Sequence, residues 1–317
     1  MNRRSLLAGL LSGLGGLAGG FGLSGLSGLV GCRPHFGGLT VGSKNFTEQL
    51  ILGELLAQYL EQELKIAVDR RFYLAGTYIC HQALLAGRID TYVEYTGTAL
   101  AAVLKETAHK ETPLKEKPIS DHAQVYELVK REYARRYGLE VMPPLGFDNS
   151  FAMVMRGDDA RAKHLTKLSQ LAPFAPQMRM GVGYEFLERP DGYKGLVARY
   201  DLKFAEAPRV MDLGLLYRAL ESRQVDIVAG SNTDGLIAAL GLVVLEDDLH
   251  YFPPYDAVPI VRRVALQKYS GLRTAFDRLG GRISAEQMRR MNYAVDGEKK
   301  DASGVVREFL RGSHIGE

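Results

Sequence analysis

The chain has 317 residues, 46% of them hydrophobic and 24% charged, with a formal net charge of +3. That length and balance suit one or two globular domains with a substantial core, and they exclude a disordered or collagen-like chain. So small a net charge gives no electrostatic reason to expect a nucleic-acid partner, and two cysteines are too few for a disulfide-stapled fold.

The first 32 residues stand apart. Arg3 and Arg4 precede an uncharged Leu/Gly/Ala/Ser tract from Ser5 to Gly31. This is a basic n-region followed by the apolar core of an export signal, its glycines making it only weakly apolar for a membrane span. The tract ends in Leu29-Val30-Gly31-Cys32, which resembles a bacterial lipobox, so residues 1–31 are expected to be removed and Cys32 lipidated. The paired arginines also look something like a twin-arginine signal. Without the leader, Lys+Arg falls from 40 to 38 against 37 acidic residues, a net charge of +1. Cys80 is then the one thiol left for the folded part, read as a small core residue.

After the leader, Leu39 to Ser43 reads as a strand and Thr47 to about Leu64 as a helix. Glu48, Leu50, Ile51, Leu55, Leu56, Tyr59 and Leu60 fall on its inward face. Lys44-Asn45-Phe46 lies at the turn between them. Ile66 to Phe72 is the next strand, Thr77 to Leu85 a helix, and Ile89 to Tyr95 a third strand. That strand runs directly into a helix through Asp90 to Leu100, DTYVEYTGTAL, where Gly97 permits a sharp turn and Thr96 or Thr98 can cap. In open α/β sheets ligands bind beyond the carboxyl ends of strands, so Tyr95 and Thr98 are candidate site residues.

Lys105 to Ser120 reads as a loop or lid and Asp121 to Tyr137 as a charged surface helix. Strands are expected at Phe151 to Met155, Arg179 to Val182, Val225 to Ala229 and Leu242 to Leu245. Helices fall between them at Leu165 to Leu171, Gly195 to Tyr200 and Met211 to Glu221. The tail from Ser270 to Leu310 is helical. Alternation of this kind argues for an α/β fold with mainly parallel sheets. Pro143-Pro144 and Pro253-Pro254 bracket the second set of elements. The expected architecture is therefore one lobe from 39–143 completed by 250–317, a second lobe from 144–249 inserted in it, and a ligand cleft at the hinge between.

Five segments carry a resemblance: GSKNFTEQ from Gly42, IDTYVEYTGTAL from Ile89, ERPDG from Glu188, TDG from Thr233 and YFPPYDAVP from Tyr251. Together they are similar to the substrate-binding proteins of ABC importers for glycine betaine, choline, carnitine and related quaternary ammonium osmoprotectants. The resemblance implies a two-lobed periplasmic-binding-protein fold of type II that captures a solute and hands it to a permease, without chemistry of its own. It also implies an aromatic box for the cation. A quaternary ammonium has no N–H to donate and is best held by several ring faces. With no Trp among the 317 residues, the box must use Tyr and Phe.

By motif position, Tyr95 and Tyr255 match box tyrosines, and Phe151 falls where a tyrosine is frequent. Ser231 falls where better-known members place a further tyrosine, leaving room for a bulkier or more polar solute such as ergothioneine. Lys44 matches a basic or amide position, Thr98 a hydroxyl and Arg189 a carboxylate-binding arginine, with Asn149 and Asn232 as further polar contacts. The expected partners are a small quaternary ammonium ligand, permease subunits with a separate ATPase, and a bacterial membrane reached through the lipid anchor. The protein is expected outside the cytoplasmic membrane, as a monomer.

Chemistry finds no foothold in the sequence. The seven histidines show no metal-ligand spacing, no phosphate loop occurs, and the only nucleophile-like glycine/serine pattern lies in the leader. No metal or cofactor is called for. Two alternatives remain: an importer receptor for another amine or amino acid, and a small-molecule enzyme on the same scaffold.

Overall fold

A computed structural model describes residues 38–104 and 120–313. The export leader, Cys32 and nearly all of the expected loop from Lys105 lie outside the described residues. Among those described, no helix is long and apolar enough to cross a membrane.

Among the described residues, ten strands form two five-stranded sheets. The first contains β1 (Leu39–Gly42), β2 (Val68–Arg71), β3 (Thr91–Tyr95), β4 (Leu139–Val141) and β10 (Ala257–Arg262), in the order β2-β1-β3-β10-β4. The second contains β5 (Phe151–Arg156), β6 (Met180–Val182), β7 (Arg209–Val210), β8 (Ile227–Ser231) and β9 (Leu242–Leu245), in the order β7-β6-β8-β5-β9. Each sheet takes its fourth strand from the chain just after it has crossed from the other. That strand runs antiparallel to both neighbours.

The expectation of mainly parallel sheets is therefore corrected. Parallel pairing covers β1 with β2 and β3, and β6 with β7 and β8; the other half is antiparallel. Three strands escaped the sequence reading, the two-residue β7 among them. Strand β4 is three residues long, just before the proline pair. Strand β10 is buried along all but its last residue, so it lacks alternation, and Pro259 sits in its middle, a residue that argues against a central strand. Here Pro259 stands opposite Val93, and its carbonyl accepts the Met142 N–H at 2.9 Å.

The crossings themselves are paired. Leu145 N–H donates to the Ala257 carbonyl (2.8 Å), Ala257 N–H to Phe147 (3.1 Å) and Asn149 N–H to Tyr255 (3.0 Å). Backbone groups of both connections are thus satisfied by each other, which fixes the path of the chain between the sheets.

Helix α1 (Thr47–Leu64) is buried from Glu48 to Leu60, apart from the half-buried Leu50, and ends at Lys65 in the left-handed region (φ 53°). It carries the packing of helices Leu272–Leu279, Ala285–Asp296 and Ala302–Gly312, so the C-terminal tail completes the core of the first sheet. Helix α2 (Thr77–Leu85) holds Cys80 fully buried, as expected. The second sheet has its own core around Met153, Met180, Phe186 and Ile227. Phe151 and Phe252 pack against both cores and so join them.

Candidate functional site

The sequence-predicted residues gather where strands end and the chain crosses. Lys44 follows β1, Tyr95 ends β3, and Thr98 lies in the short helical turn Thr96–Thr98 that leads into a π-helical stretch, Ala99–Leu104. Asn149 and Phe151 open β5, Ser231 closes β8, and Tyr255 precedes β10. Arg189 caps the helix Tyr184–Glu188 that follows β6. This is the edge at which open α/β sheets hold their ligands.

Four of these residues meet directly. The Phe151 and Tyr255 rings stand edge to face with centroids 5.7 Å apart, and the Arg189 guanidinium carbon lies 5.0 Å from the first and 5.9 Å from the second. Arg189 Nη1 donates to Thr98 Oγ1 (3.0 Å), a bond from the second half of the molecule to the first. Phe186 and Phe252 back Phe151 at 4.8 and 5.7 Å. A glycine is required at position 97, because a Cβ there would lie 2.6 Å from the Pro254 carbonyl and 2.7 Å from the Tyr255 ring.

Asp191 completes this cluster, and motif matching alone did not single it out. It takes Arg189 in a fork, Nε to Oδ1 at 2.9 Å and Nη2 to Oδ2 at 2.5 Å, and accepts the Tyr255 hydroxyl at 2.5 Å. Arginine and aspartate are 4% and 6% exposed, so this is a buried ion pair. Burial works against the arginine's charge, but the adjacent Asp191 carboxylate outweighs it and holds the guanidinium firmly protonated. Burial, with Asp191 alongside, pushes the Tyr255 phenol well up, so it acts as a donor.

A second cluster surrounds Tyr95. Lys44 is buried, paired with Glu94, and its Nζ lies 5.0 Å above the Tyr95 ring. Glu94 also accepts from the Tyr92 hydroxyl (3.1 Å) and the Tyr95 N–H (2.8 Å). The Tyr95 hydroxyl donates to Glu48 Oε1 at 2.7 Å, as does Asn149 Nδ2 at 2.6 Å. Glu48 Oε2 accepts Thr233 Oγ1 (2.5 Å) and Asn292 Nδ2 (2.9 Å). The sequence placed Glu48 on the inward face of α1 among apolar residues. It is inward, but as a buried carboxylate saturated with donors.

Ser231 reaches the same network, donating to Asn149 Oδ1 and lying 2.9 Å from Thr233 Oγ1. Asn232 turns elsewhere, its Nδ2 donating to Asp148 on the first crossing (3.3 Å). Asp148 and Asp256 face each other across the crossings, and His122 Nδ1 lies 2.9 Å from Asp256 Oδ2. Donor atoms of these three residues lie within 4.8 Å of one another, a grouping invisible in the linear histidine spacing.

The arrangement suits recognition better than reaction. Both of its basic groups, Lys44 with Glu94 and Arg189 with Asp191, are internally paired, and its rings present faces that attract cations.

Comparison with known proteins agrees. Residues 37–312 match the family model described as the substrate-binding domain of ABC-type glycine betaine transport systems. The chain is 33% identical over 285 residues to the carnitine transport binding protein OpuCC of Listeria monocytogenes, covering 88% of this chain and 89% of that one. It is 32% identical over 288 residues to a glycine-betaine-binding protein of Pseudomonas aeruginosa, covering 87% and 88%. It is also 33% identical to the ergothioneine permease/binding protein EgtU of Helicobacter pylori, covering 86% of this chain and 47% of that relative. A crystal structure described as a glycine betaine/carnitine/choline ABC transporter superposes with a TM-score of 0.71 at 30% identity, covering 88% of this chain and all of that one. With sheets, crossings and relatives all in agreement, this chain belongs to the family of two-lobed substrate-binding domains of ABC-type glycine betaine importers.

Proposed function

We propose that this protein captures a betaine-like quaternary ammonium compound between its two lobes, 39–143 with 250–317 and 144–249, and delivers it to a permease powered by a separate ATPase. The cationic head lies against Tyr95, Phe151 and Tyr255. Lys44, Thr98, Asn149 and Arg189 face its polar end, and Ser231 and Asn232 form the wall on the side that lacks a ring. The protein works as a monomer, held at the outer face of the cytoplasmic membrane through a lipidated Cys32, and catalyses nothing.

The observation that carries this reading is the Arg189 cluster. One guanidinium lies against the faces of Phe151 and Tyr255 and reaches across to Thr98. Rings that accept a protein cation in this way present the faces a quaternary ammonium needs.

A thermal-shift screen of the leaderless protein tests the reading, with glycine betaine, choline, carnitine, ergothioneine and free amino acids as ligands. Stabilisation by quaternary ammonium compounds without turnover is expected. The absence of a ring at Ser231 favours a second reading, a receptor for another amine or amino acid. A melting shift with amino acids alone would establish that one instead.

A further inference from the structure

The buried charges around the cleft do not balance. Lys44 is paired with Glu94 and Arg189 with Asp191. Glu48 is as buried as they are, at 4% exposure, yet all four groups donating to it are neutral: Tyr95, Asn149, Thr233 and Asn292. Among the described residues no lysine, arginine or histidine forms an ion pair with it. The nearby titratable group that interacts with it, Asp234, is itself acidic.

A buried carboxylate facing only neutral donors is a costly thing to keep. Burial pushes its pKa up, and the four hydrogen bonds only partly oppose that. Its location adds meaning to the cost. Glu48 accepts the hydroxyl proton of Tyr95, a ring assigned to the cation cage, and phenol donation to an anion enriches the ring's electron density. Through Asn149 and Thr233 it is also linked to Ser231, on the side of the cleft without a ring.

We propose that Glu48 is the counter-charge for the ligand's cationic head, acting through Tyr95 and across the serine side of the cleft without touching the ligand. The ligand-free protein then holds one buried negative charge that its own side chains leave unpaired, and the arriving cation neutralises it. This makes Glu48 a positioning and selectivity residue of the site proposed above, and it rests on that reading.

Glu48→Gln tests it. The amide keeps the shape, and with its NH2 on the Oε2 side the Thr233 hydroxyl and the partnerless Asn292 Oδ1 can turn to accept from it, while Tyr95 and Asn149 still donate to its oxygen. Titration calorimetry with tetramethylammonium, choline and glycine betaine is run beside thermal melts of the ligand-free proteins. Affinity for all three is expected to fall at least tenfold, while the ligand-free melting temperature stays level or rises. Unchanged affinity in Glu48→Gln overturns the proposal. So does a joint loss of affinity and ligand-free stability, or failure to fold, since a simple strut would behave that way. If the wild type binds none of the three compounds, the cage reading itself fails and this inference with it.

Discussion

Removing Arg189 should do more than weaken a ligand contact. Its fork is already engaged with Asp191, at 2.9 and 2.5 Å, and both groups are nearly fully buried. Arg189→Ala therefore leaves a carboxylate in the interior with the Tyr255 hydroxyl as its remaining donor. Breaking such a pair from one side costs about 3–5 kcal/mol. At roughly 2–4 °C per kcal/mol for a chain of this size, the melting temperature should fall by about 6–20 °C. The double variant Arg189→Ala/Asp191→Asn removes both charges and should recover most of that loss. Urea titration of wild type, both single variants and the double closes the cycle and gives the coupling directly. A single variant within about 0.5 kcal/mol of wild type, the scatter of an ordinary surface substitution, would refute the buried-pair argument. The double variant also isolates the binding role. It is expected to bind a quaternary ammonium ligand at least tenfold more weakly, about 1.4 kcal/mol, on a fold that remains intact.

Three further expectations follow from the same geometry. Tyr255→Ala removes a ring face and the donor to Asp191, and calorimetry should show at least a tenfold weaker ligand; unaltered affinity would put Tyr255 outside the site. Ser231→Tyr supplies the missing ring and should tighten glycine betaine, at the expense of the Ser231–Asn149 bond; a titration indistinguishable from wild type would show that this wall does not face the cation. Burial raises the Asp234 carboxyl from 3.8 to about 6, so the folded state holds that proton more tightly than the unfolded one. Its contribution to stability is present below about pH 4 and is lost as pH rises through about 6. Asp234→Asn should therefore melt above wild type at pH 8 and near it at pH 4, and parallel pH profiles would contradict this.

How much of this was legible from residues alone follows a physical divide. Helix α1 was read to its observed ends because its apolar face repeats at helical spacing over 18 residues. Strand β10 was not, because a fully buried strand has no alternation and Pro259 disguises it. Antiparallel insertion of β5 and β10 is a fact of long-range pairing, between residues such as Tyr95 and Ala257, and no local pattern encodes it. At the candidate site, the residues that meet, Phe151, Arg189, Tyr255 and Thr98, were each legible through motifs, though their meeting was not. Glu48 was read as facing inward but not as part of the site, and Asp191 was overlooked because a carboxylate two residues after an arginine is ordinarily solvated. What distinguishes them is the set of partners the fold brings to each, which no local pattern shows.

Energetics explain why rings alone would not make a receptor. Three faces at about 0.5 to 2 kcal/mol each supply roughly 1.5 to 6 kcal/mol. A micromolar complex needs about 8.2, and ordering the partners costs several more. The balance must come from desolvation and from polar bonds made on closure, and on the reading proposed above the bond from Arg189 to Thr98 is one of these. Its donor is held flat by Asp191 and its acceptor closes the Thr96–Thr98 turn, in which Gly97 leaves room for Tyr255. In the function proposed here, cation recognition and closure share the same side chains. On that reading a ligand that fills the cage would favour the geometry in which Arg189 reaches Thr98, and that coupling would let modest cation–π terms shift the balance between open and closed forms.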